Sequence, residues 1–360
     1  MRILVISTAT FCINGIAAVI KNLYANETFA QDNITFLFHK AAYAQPYEIF
    51  EYWGHEVIEY EGRLKKPHEH IVFLKKLMIE KEVEIVHVHG NSATCTAELI
   101  AAKAAGVPIR IMHGHAAQCR YMFLHKLLRP LMNRLVTHRF AASKAAGAFL
   151  FGEKDCTVII NAFALEKFRE DPQLREKYRK EYGITEKTVI GHVGLFNNMK
   201  NQAFLVDILD CYKKHNPNAV LVLIGGGELR QSIQEKVLQM GLADSVLFLG
   251  ARDNVNELLN MFDYFVFPSF FEGFGIAPVE AQVNGLPTLA SKDRLPANVQ
   301  INENFKFVAL EDGPEKWCEG LMKLPPQRCA SAMENAQNAG FDLEKAVARL
   351  RKQYCDMLKG

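Results

Sequence analysis

The segment FPSFFEGFGIAPVEAQ, which spans Phe267–Gln282, contains the strongest structural signal in this chain. The apolar residues at and before its start are typical of a buried strand, and a helical pattern begins within it. Gly273 and Gly275 lie in the connecting loop, where glycine allows the backbone to approach a ligand closely. A strand, a glycine loop and a helix in this order predict an anion-binding site at the free N–H groups of Phe274–Ile276.

Two glutamates accompany the predicted anion site, Glu272 in the loop and Glu280 early in the helix. A carboxylate beside an anion site needs a neutral polar partner, and sugar hydroxyls fit because they donate hydrogen bonds to it. We therefore expect Glu272 to hold a sugar, the helix N-terminus to hold a diphosphate and Glu280 to hold a ribose. Two alternatives stay open, namely Glu272 as a solvated loop acid and Glu280 as compensation for the helix dipole.

Strands and helices alternate along the rest of the chain. In the first half, the pattern predicts a strand at Arg2–Ser7 and a helix from about Ile16 to Phe29, and the series restarts in the second half. This repetition predicts an α/β fold with two Rossmann-like domains whose parallel sheets face a central cleft. The expected domains are residues 1–165 and 166–340, and a helix at 341–360 can pack back on the first.

The composition excludes several classes of protein. At 360 residues, with 49% hydrophobic and 23% charged residues, the chain has the composition of a soluble globular protein. Its formal net charge of +2 creates no overall field for nucleic acid, so no such partner is expected. The eight cysteines form no C-x-x-C pair, there is no signal region, and no apolar run approaches the ~20 residues that span a bilayer. These features predict a reduced, cytoplasmic protein.

One stretch, Arg120–Arg139, is rich in cations despite the small net charge of the whole chain. It is typical of the solvated face of a helix. It equally fits a peripheral contact with the anionic surface of the inner membrane, on its cytoplasmic face. Both interpretations stay open at this level.

Other loops that follow predicted strands contain further candidate ligand-binding residues. Lys200 offers an ammonium group that can neutralise a diphosphate, although a surface lysine of the next helix is the alternative. The turn Gly225–Gly227 either borders a nucleotide or serves only as a tight turn. Arg252, close to Gly250, either faces a nucleobase or forms a salt bridge at the rim.

Four histidines fall on or just after two predicted strands. His113 ends a strand and is the candidate for an active-site histidine, with His115 as the second candidate, unless both belong to a satisfied polar loop. His87 and His89 alternate along the preceding strand and share one face. Two imidazoles on one face can indicate a metal, but no third ligand is evident, so a structural role is preferred.

The E-x7-E spacing of Glu272 and Glu280, within F-P-S-x-x-E-G-F-G, belongs to a wider set of motifs. The other motifs of this set lie in the segments Ile85–Thr94, Leu127–Phe140, Gly191–Asn201, Leu223–Arg230 and Val246–Gly250. Together they resemble glycosyltransferase family 4, in the branch that serves bacterial exopolysaccharide and capsule synthesis. The resemblance extends over nearly the whole chain and implies the GT-B architecture of two Rossmann-like domains.

The resemblance also implies a retaining, metal-independent transfer of a hexosyl or N-acetylhexosaminyl group from a nucleoside-diphosphate sugar. A uridine-diphosphate sugar is the expected donor, and a glycan or lipid-linked molecule is the expected acceptor. Catalytic roles are implied for His113, Glu272 and Lys200. The residues implied to bind the donor are Gly15, Gly194, Asn201, Gly225, Gly250, Arg252, Gly273, Phe274, Gly275, Ile276 and Glu280. No cofactor and no metal are expected, because no D-x-D stands in a suitable loop.

The sequence departs from the family pattern at four positions. Leu195 stands where the family usually has an arginine, and a leucine cannot pair with a diphosphate. In the loop before Gly15, Asn14 replaces a common glycine, while Ala17 and Ala162 replace a common acid and a common hinge glycine. Activity is still expected, because both glutamates of the motif and Lys200 are retained.

Two other functions remain open. A non-catalytic partner subunit of an active transferase would explain Leu195. A nucleotide-sugar epimerase would need a further pair of acids to move a proton on the sugar, and none is evident. A dehydrogenase is disfavoured because no G-x-G-x-x-G follows the first strand.

Overall fold

The chain contains two β-sheets in which every described strand pairing is parallel. A computed structural model describes residues 1–10, 15–40, 47–63, 65–272 and 274–360. These residues form two compact units, one comprising Met1–Phe163 with Gly340–Gly360 and the other comprising Ala164–Ala339. Helices alternate with the strands in both units. The predicted α/β fold with two Rossmann-like domains is therefore confirmed.

The first unit is built on a seven-stranded sheet with the order β3-β2-β1-β4-β5-β6-β7. Its strands are β1 (Arg2–Thr10), β2 (Asn33–His39), β3 (Glu56–Tyr60), β4 (Ile85–His89), β5 (Ile109–Gly114), β6 (His138–Ala141) and β7 (Thr157–Val158). Its first helices are α1 (Gly15–Tyr24), α2 (Glu48–Tyr52), α3 (Pro67–Glu80), α4 (Thr96–Ala104), α5 (Met122–Leu135) and α6 (Lys144–Phe151). In β1, Ile3 and Val5 pack into one core layer and Leu4 and Ile6 into the other, as expected for a strand covered on both faces.

The second unit is built on a six-stranded sheet with the order β10-β9-β8-β11-β12-β13. Its strands are β8 (Thr188–Val193), β9 (Ala219–Ile224), β10 (Val246–Gly250), β11 (Tyr264–Phe267), β12 (Thr288–Ser291) and β13 (Phe305–Val308). Its helices are α7 (Pro172–Glu181), α8 (Gln202–Lys213), α9 (Arg230–Gln239), α10 (Val255–Leu258), α11 (Ile276–Val283), α12 (Gly313–Met322) and α13 (Ala332–Asn338). The strand order reverses between β8 and β11, and ligands of such sheets bind beyond the strand ends at that point.

The last helix, α14 (Leu343–Lys359), packs on the first unit. It buries Val347, Leu350 and Tyr354 in the core layer that also contains α1. Arg351 contacts the carboxylate of Asp32 at 2.9 Å, and the same carboxylate binds the N-terminal amine of the chain at 3.0 Å. Among the described residues, no helix is both long and apolar enough to cross a membrane.

A tight backbone contact joins the loops that follow β8 and β9. The backbone of Gly225 has a φ angle of +147°, and a Cβ atom there would lie 2.0 Å from the carbonyl oxygen of Gly194. Gly227 has a φ angle of +145°, and a Cβ atom there would lie 2.5 Å from the carbonyl oxygen of Phe196. The N–H of Phe196 donates to the carbonyl of Gly226 at 2.7 Å. Glycine is therefore required at both ends of this turn for steric and conformational reasons.

We predict that Gly225→Ala destabilises the protein while Gly226→Ala is tolerated. The first substitution combines a positive φ angle with a clash against backbone, whereas a Cβ at Gly226 meets only Ala251, at 3.9 Å. We expect a loss of more than about 2 kcal/mol for Gly225→Ala and less than about 1 kcal/mol for Gly226→Ala. Urea denaturation measures both, and equal effects of the two substitutions would contradict the steric argument.

Candidate functional site

An ion pair lies at the point where the strand order of the second sheet reverses. Lys200, in the loop after β8, places its Nζ atom 2.6 Å from Oε1 of Glu272, in the loop after β11. The two loops meet because β8 and β11 are neighbours in the sheet, with Tyr264 paired to Ile190. Both side chains are largely buried, with 18% and 10% of their surface exposed. The structure thus brings together two of the three residues expected to be catalytic.

The surroundings of the pair hold both side chains in place. Ser269 Oγ lies 2.6 Å from Glu272 Oε1 and 2.8 Å from the carbonyl oxygen of Met199, so its one proton can serve either acceptor. The ammonium group of Lys200 also lies over the ring of Phe267, 4.8 Å from its centroid, in a cation–π contact. Ser269 was not among the residues expected from sequence, although it lies within the same F-P-S motif.

Gly194 and Asn201 shape the loop that presents Lys200. A Cβ atom at Gly194 would lie 3.2 Å from Cγ of Lys200 and 3.0 Å from His192, so glycine leaves room for both side chains. Asn201 adopts a left-handed backbone conformation at the start of α8. Its side-chain amide donates to the carbonyl of Pro268 at 3.2 Å and so ties the β8 loop to the β11 loop.

His192 is a buried neighbour of this site that was not expected from the sequence. Burial lowers the pKa of its imidazole to about 3, so the ring is neutral. Because Nδ1 lies 2.9 Å from the carbonyl oxygen of Val266, that nitrogen carries the hydrogen. Nε2 is then a buried acceptor, and it has no hydrogen-bond partner among the described residues. The signal that could have indicated it is a histidine near the end of a mostly apolar strand.

The loops after β9 and β10 continue the same edge of the sheet. The N–H of Gly225 donates to the carbonyl of Gly250 at 2.8 Å, which joins the two loops. Arg252 is exposed, and its Nε donates to the carbonyl of Leu249 at 2.9 Å. Within the described part of the chain, Arg252 takes part in no salt bridge, so the alternative of a rim ion pair receives no support there.

Glu280 is not a member of the ion pair between Lys200 and Glu272. It lies in the second turn of α11, which is preceded by Gly275 in a left-handed conformation at φ +83° and by the buried side chain of Phe274. No described group forms a hydrogen bond or salt bridge with the Glu280 side chain. Although part of its surface is open to solvent, desolvation by the surrounding protein raises the pKa of its carboxyl group to about 7. Stabilisation by the helix dipole would lower this pKa instead. Gly273 lies outside the described residues.

The remaining expected residues belong to the first unit. Gly15 begins α1, and Asn14 lies outside the described residues. His113 lies at the end of β5 and is fully buried. Its Nδ1 atom is 3.2 Å from Nε2 of His87, and a parallel contact of 3.0 Å joins Nδ1 of His89 to Nε2 of His115. Four imidazoles therefore form a two-by-two array on one face of β4 and β5.

Burial keeps this histidine array neutral. Desolvation lowers the pKa values of His87, His89 and His113 well below the usual range, and mutual repulsion of their charged forms acts in the same direction. Burial lowers the pKa of His115 to about 3. A general base working near neutral pH needs a pKa close to 7, so these rings are better suited to hydrogen bonding than to proton abstraction.

The structure places a third imidazole, not evident as a ligand from the sequence, beside His87 and His89. Ligand atoms of His87, His89 and His113 all lie within 4.8 Å of one another, which is the spacing of a candidate metal site. The reason is the register of β4 and β5, which places His89 opposite His113. However, both ring nitrogens of His87 already have hydrogen-bond partners. A cation would therefore have to displace an existing hydrogen bond.

Comparison with known proteins shows the family to which the chain belongs. The family model for glycosyl transferases group 1 matches residues 174–339. The protein EpsF of Bacillus subtilis (strain 168), named as a glycosyltransferase, is 32% identical over 286 residues, which cover 75% of this chain and 74% of EpsF. An Escherichia coli protein, named as a UDP-Gal:alpha-D-GlcNAc-diphosphoundecaprenol alpha-1,3-galactosyltransferase, is 27% identical over 314 residues, or 82% of this chain and 81% of its own.

Comparison with solved structures shows the fold. The crystal structure of Anabaena Alr3699/HepE in complex with UDP superimposes with a TM-score of 0.80 at 18% identity, covering 99% of this chain and 100% of that one. Two parallel Rossmann-like sheets in one chain form the GT-B fold. The chain belongs to the family of glycosyl transferases group 1.

We predict that Glu280→Gln raises the stability of the ligand-free protein above pH 7. Folding raises the pKa of Glu280 from 4.5 to about 7, so the folded state binds more protons across that range. The free energy of unfolding therefore falls as the pH rises from about 4.5 to about 7. At about pH 8, the variant should be more stable than the unsubstituted protein by roughly 1–3 kcal/mol.

Urea denaturation between about pH 5 and pH 8 measures this difference. Glu303→Gln is the matched control, because Glu303 is an exposed acid in the same unit. It should change the free energy of unfolding by less than about 0.5 kcal/mol at either pH. The same pH profile for the Glu280 variant and the unsubstituted protein would show that this carboxyl group is not desolvated.

Proposed function

We propose that this glycosyltransferase transfers a hexosyl or N-acetylhexosaminyl group from a UDP-sugar to a glycan or lipid-linked acceptor in capsule or exopolysaccharide synthesis, with retention and without a metal. The observation that carries the proposal is the pairing of Lys200 with Glu272 where the strand order of the sheet reverses. The two groups combine a cation for phosphate with an acceptor for sugar hydroxyls. The name of the E. coli relative specifies UDP-galactose and a lipid-linked acceptor, and a HepE structure contains UDP-glucose.

In the proposed reaction, the acceptor hydroxyl attacks the anomeric carbon from the face that the diphosphate leaves. The carbon–oxygen bond to phosphate breaks, the new glycosidic bond forms, and the hydroxyl proton passes to the departing phosphate oxygen. The product is a nucleoside diphosphate and a glycoside with the original anomeric configuration. The protein then needs only to position the reactants and to stabilise negative charge, and no side chain has to act as a base.

The candidate site residues of the second unit have separate roles in the proposed reaction. Glu272 accepts hydrogen bonds from sugar hydroxyls, and Lys200 neutralises the leaving diphosphate together with the N–H groups at the start of α11. Glu280 accepts hydrogen bonds from the ribose, and its ionised form offers both oxygens as acceptors. Since the carboxyl group has a pKa near 7, donor binding should favour its ionisation. Lys200 and the N–H groups at the start of α11 would stabilise the diphosphate, as a divalent cation does in other transferases.

Leu195 bears on the strength of donor binding. Its side chain is 52% exposed and so leaves space for a longer, charged residue. The missing arginine contact to phosphate corresponds to about 1.5–3 kcal/mol. Leu195 is also the one observation that favours the second candidate function, a subunit that binds a donor but supports another transferase without turnover.

We predict that UDP-sugars raise the melting temperature of the protein and that Lys200 is required for the effect. At a donor concentration about 100-fold above Kd, the expected stabilisation is about 2.7 kcal/mol. Lys200→Ala should remove most of it and lower turnover at least ~100-fold, because it deletes a charge that acts on the leaving group. Leu195→Arg should instead tighten donor binding about tenfold or more. Thermal denaturation with UDP-glucose, UDP-galactose, UDP-N-acetylglucosamine and GDP-mannose measures binding, and nucleotide release measures turnover.

The controls separate the two candidate functions. Lys200→Arg retains a cation at the same position and should keep more donor binding than Lys200→Ala. Stabilisation by a donor without nucleotide release, in the presence of lipid-linked acceptors, would favour the partner subunit. Stabilisation by none of the nucleotide sugars would overturn the proposal, and no gain with Leu195→Arg would show that this position lies away from the phosphates.

The proposal includes peripheral contact with an anionic membrane surface through α5. The exposed side of this helix contains Phe123, Leu124, Leu127 and Leu131, spaced as one stripe. The sequence contains no Asp or Glu between Glu98 and Glu153, whereas this interval contains the cations Lys103, Arg110, Arg120, Lys126, Arg129, Arg134, Arg139 and Lys144. An apolar stripe among cations, with no acid nearby in sequence, is the pattern of a helix that lies in the plane of an anionic membrane.

We predict that the protein co-sediments with phosphatidylglycerol vesicles and not with phosphatidylcholine vesicles. Phe123→Ser/Leu127→Ser should reduce the bound fraction at least ~5-fold, since it removes two apolar side chains that are 80% and 63% exposed. Val72→Ser/Ile79→Ser is the matched control, because these residues of α3 are each 54% exposed in a helix that also contains acids. Equal losses for both variants, or binding unaffected by salt, would contradict the assignment of the contact to α5.

A further inference from the structure

A chain of hydrogen bonds connects the last helix to His113. Tyr354, in α14, and Tyr24, in α1, place their hydroxyl oxygens 2.5 Å and 2.8 Å from Nδ1 of His87, and the two oxygens are 2.6 Å apart. Nε2 of His87 then lies 3.2 Å from Nδ1 of His113. All four side chains are fully buried, so water does not compete for these contacts.

The number of hydrogens in this triangle fixes the tautomer of His87. Burial raises the pKa values of Tyr24 and Tyr354 and lowers that of His87, so both phenols keep their protons and the imidazole is neutral. If Nδ1 carries no hydrogen, one tyrosine donates to it and the other donates to the first tyrosine. If Nδ1 carries a hydrogen, one of the two phenol hydrogens is left without an acceptor among the described residues. A buried donor without an acceptor is costly, so the first arrangement is favoured.

The tautomer of His87 determines that of His113. With Nδ1 of His87 as an acceptor, its single hydrogen is on Nε2, which donates to Nδ1 of His113. Since Nδ1 of His113 is then an acceptor, the single hydrogen of this neutral ring is on its own Nε2. That Nε2 atom is buried and has no hydrogen-bond partner among the described residues. A ligand oxygen is the group that would satisfy it.

We propose that Tyr24, Tyr354 and His87 are positioning residues that hold His113 as the Nε2–H tautomer, so that its ring donates a hydrogen bond to an oxygen of the bound substrate. This inference rests on the proposed function for the identity of that substrate, a sugar. The pairing of His89 with His115 carries no such bias, since either nitrogen of that contact can be the donor. The tyrosine pair is therefore the feature that determines which nitrogen of His113 carries the hydrogen.

The tautomer can be read in the full-length protein without any donor. Long-range ¹H–¹⁵N correlation spectra of protein labelled with ¹⁵N-histidine distinguish the two tautomers. We expect the Nε2–H form for His113 and for His87 near neutral pH. A Nδ1–H form, or a mixture, at His113 would overturn the proposal, as would tight binding of equimolar Zn²⁺ that replaces the His87–His113 hydrogen bond.

His87→Gln and His87→Leu form a matched pair for the second measurement. The side-chain amide introduced by the first variant can still donate to Nδ1 of His113, whereas leucine removes the donor. We expect His87→Gln to keep the Nε2–H tautomer of His113 and kcat within about threefold, and His87→Leu to yield mixed tautomers and a kcat at least ~10-fold lower. A purely structural role would lower the melting temperature of the leucine variant without changing the tautomer of His113.

The single variants Tyr24→Phe and Tyr354→Phe test the hydrogen count. Each leaves one phenol that can donate to Nδ1 of His87, so the tautomer of His113 should be unchanged in both. A change of tautomer in either single variant would contradict the count. Because these spectra need no substrate, failure of this inference and failure of donor binding are separate results.

Discussion

The pairing of β8 with β11 is the constraint on which the second unit depends. These strands are distant in sequence, yet their parallel register brings the ends of both to the same edge of the sheet, at the point where the strand order reverses. Lys200 and Glu272 face each other only because of that register. An ion pair of this kind, largely removed from water, places a cation and an acceptor within reach of one ligand.

The steric demands of the neighbouring loops follow from the same constraint. The β8 loop lies so close to the β9 loop that the Cα atom of Gly225 faces the carbonyl oxygen of Gly194 without room for a methyl group. Backbone hydrogen bonds from Phe196 to Gly226 and from Gly225 to Gly250 then continue the contact across three loops. The loop that presents Lys200 is thus held by backbone on one side and by the amide of Asn201 on the other.

The sequence predicts most of the fold and part of the candidate site. Apolar strands such as β1 and the glycine motif before α11 have local signals, so they are predicted correctly. The edge strand β3 is missed because its side chains are only partly buried, and the five-residue helix α2 is missed because it is too short to show a period. The helix expected to reach Phe29 ends at Tyr24, where Asn26 caps a separate 3₁₀ turn.

The residues that sequence reasoning misses are those defined by distance in space. Ser269 contacts Glu272 and the backbone of Met199, and His192 contacts the backbone of Val266 in the neighbouring strand β11. Tyr24 and Tyr354 are separated by 330 positions, and no local pattern relates them. The four-histidine array likewise depends on the register of β4 and β5, which periodicity alone does not determine.

The return of α14 to the first unit affects the order in which the chain can fold during synthesis. Val347, Leu350 and Tyr354 belong to the core of the first unit, yet they leave the ribosome after the whole of Ala164–Ala339. The second unit can therefore reach its native state while an apolar groove on the first is still uncovered. That apolar surface stays exposed to aggregation until the seventeen residues of α14 have been synthesised.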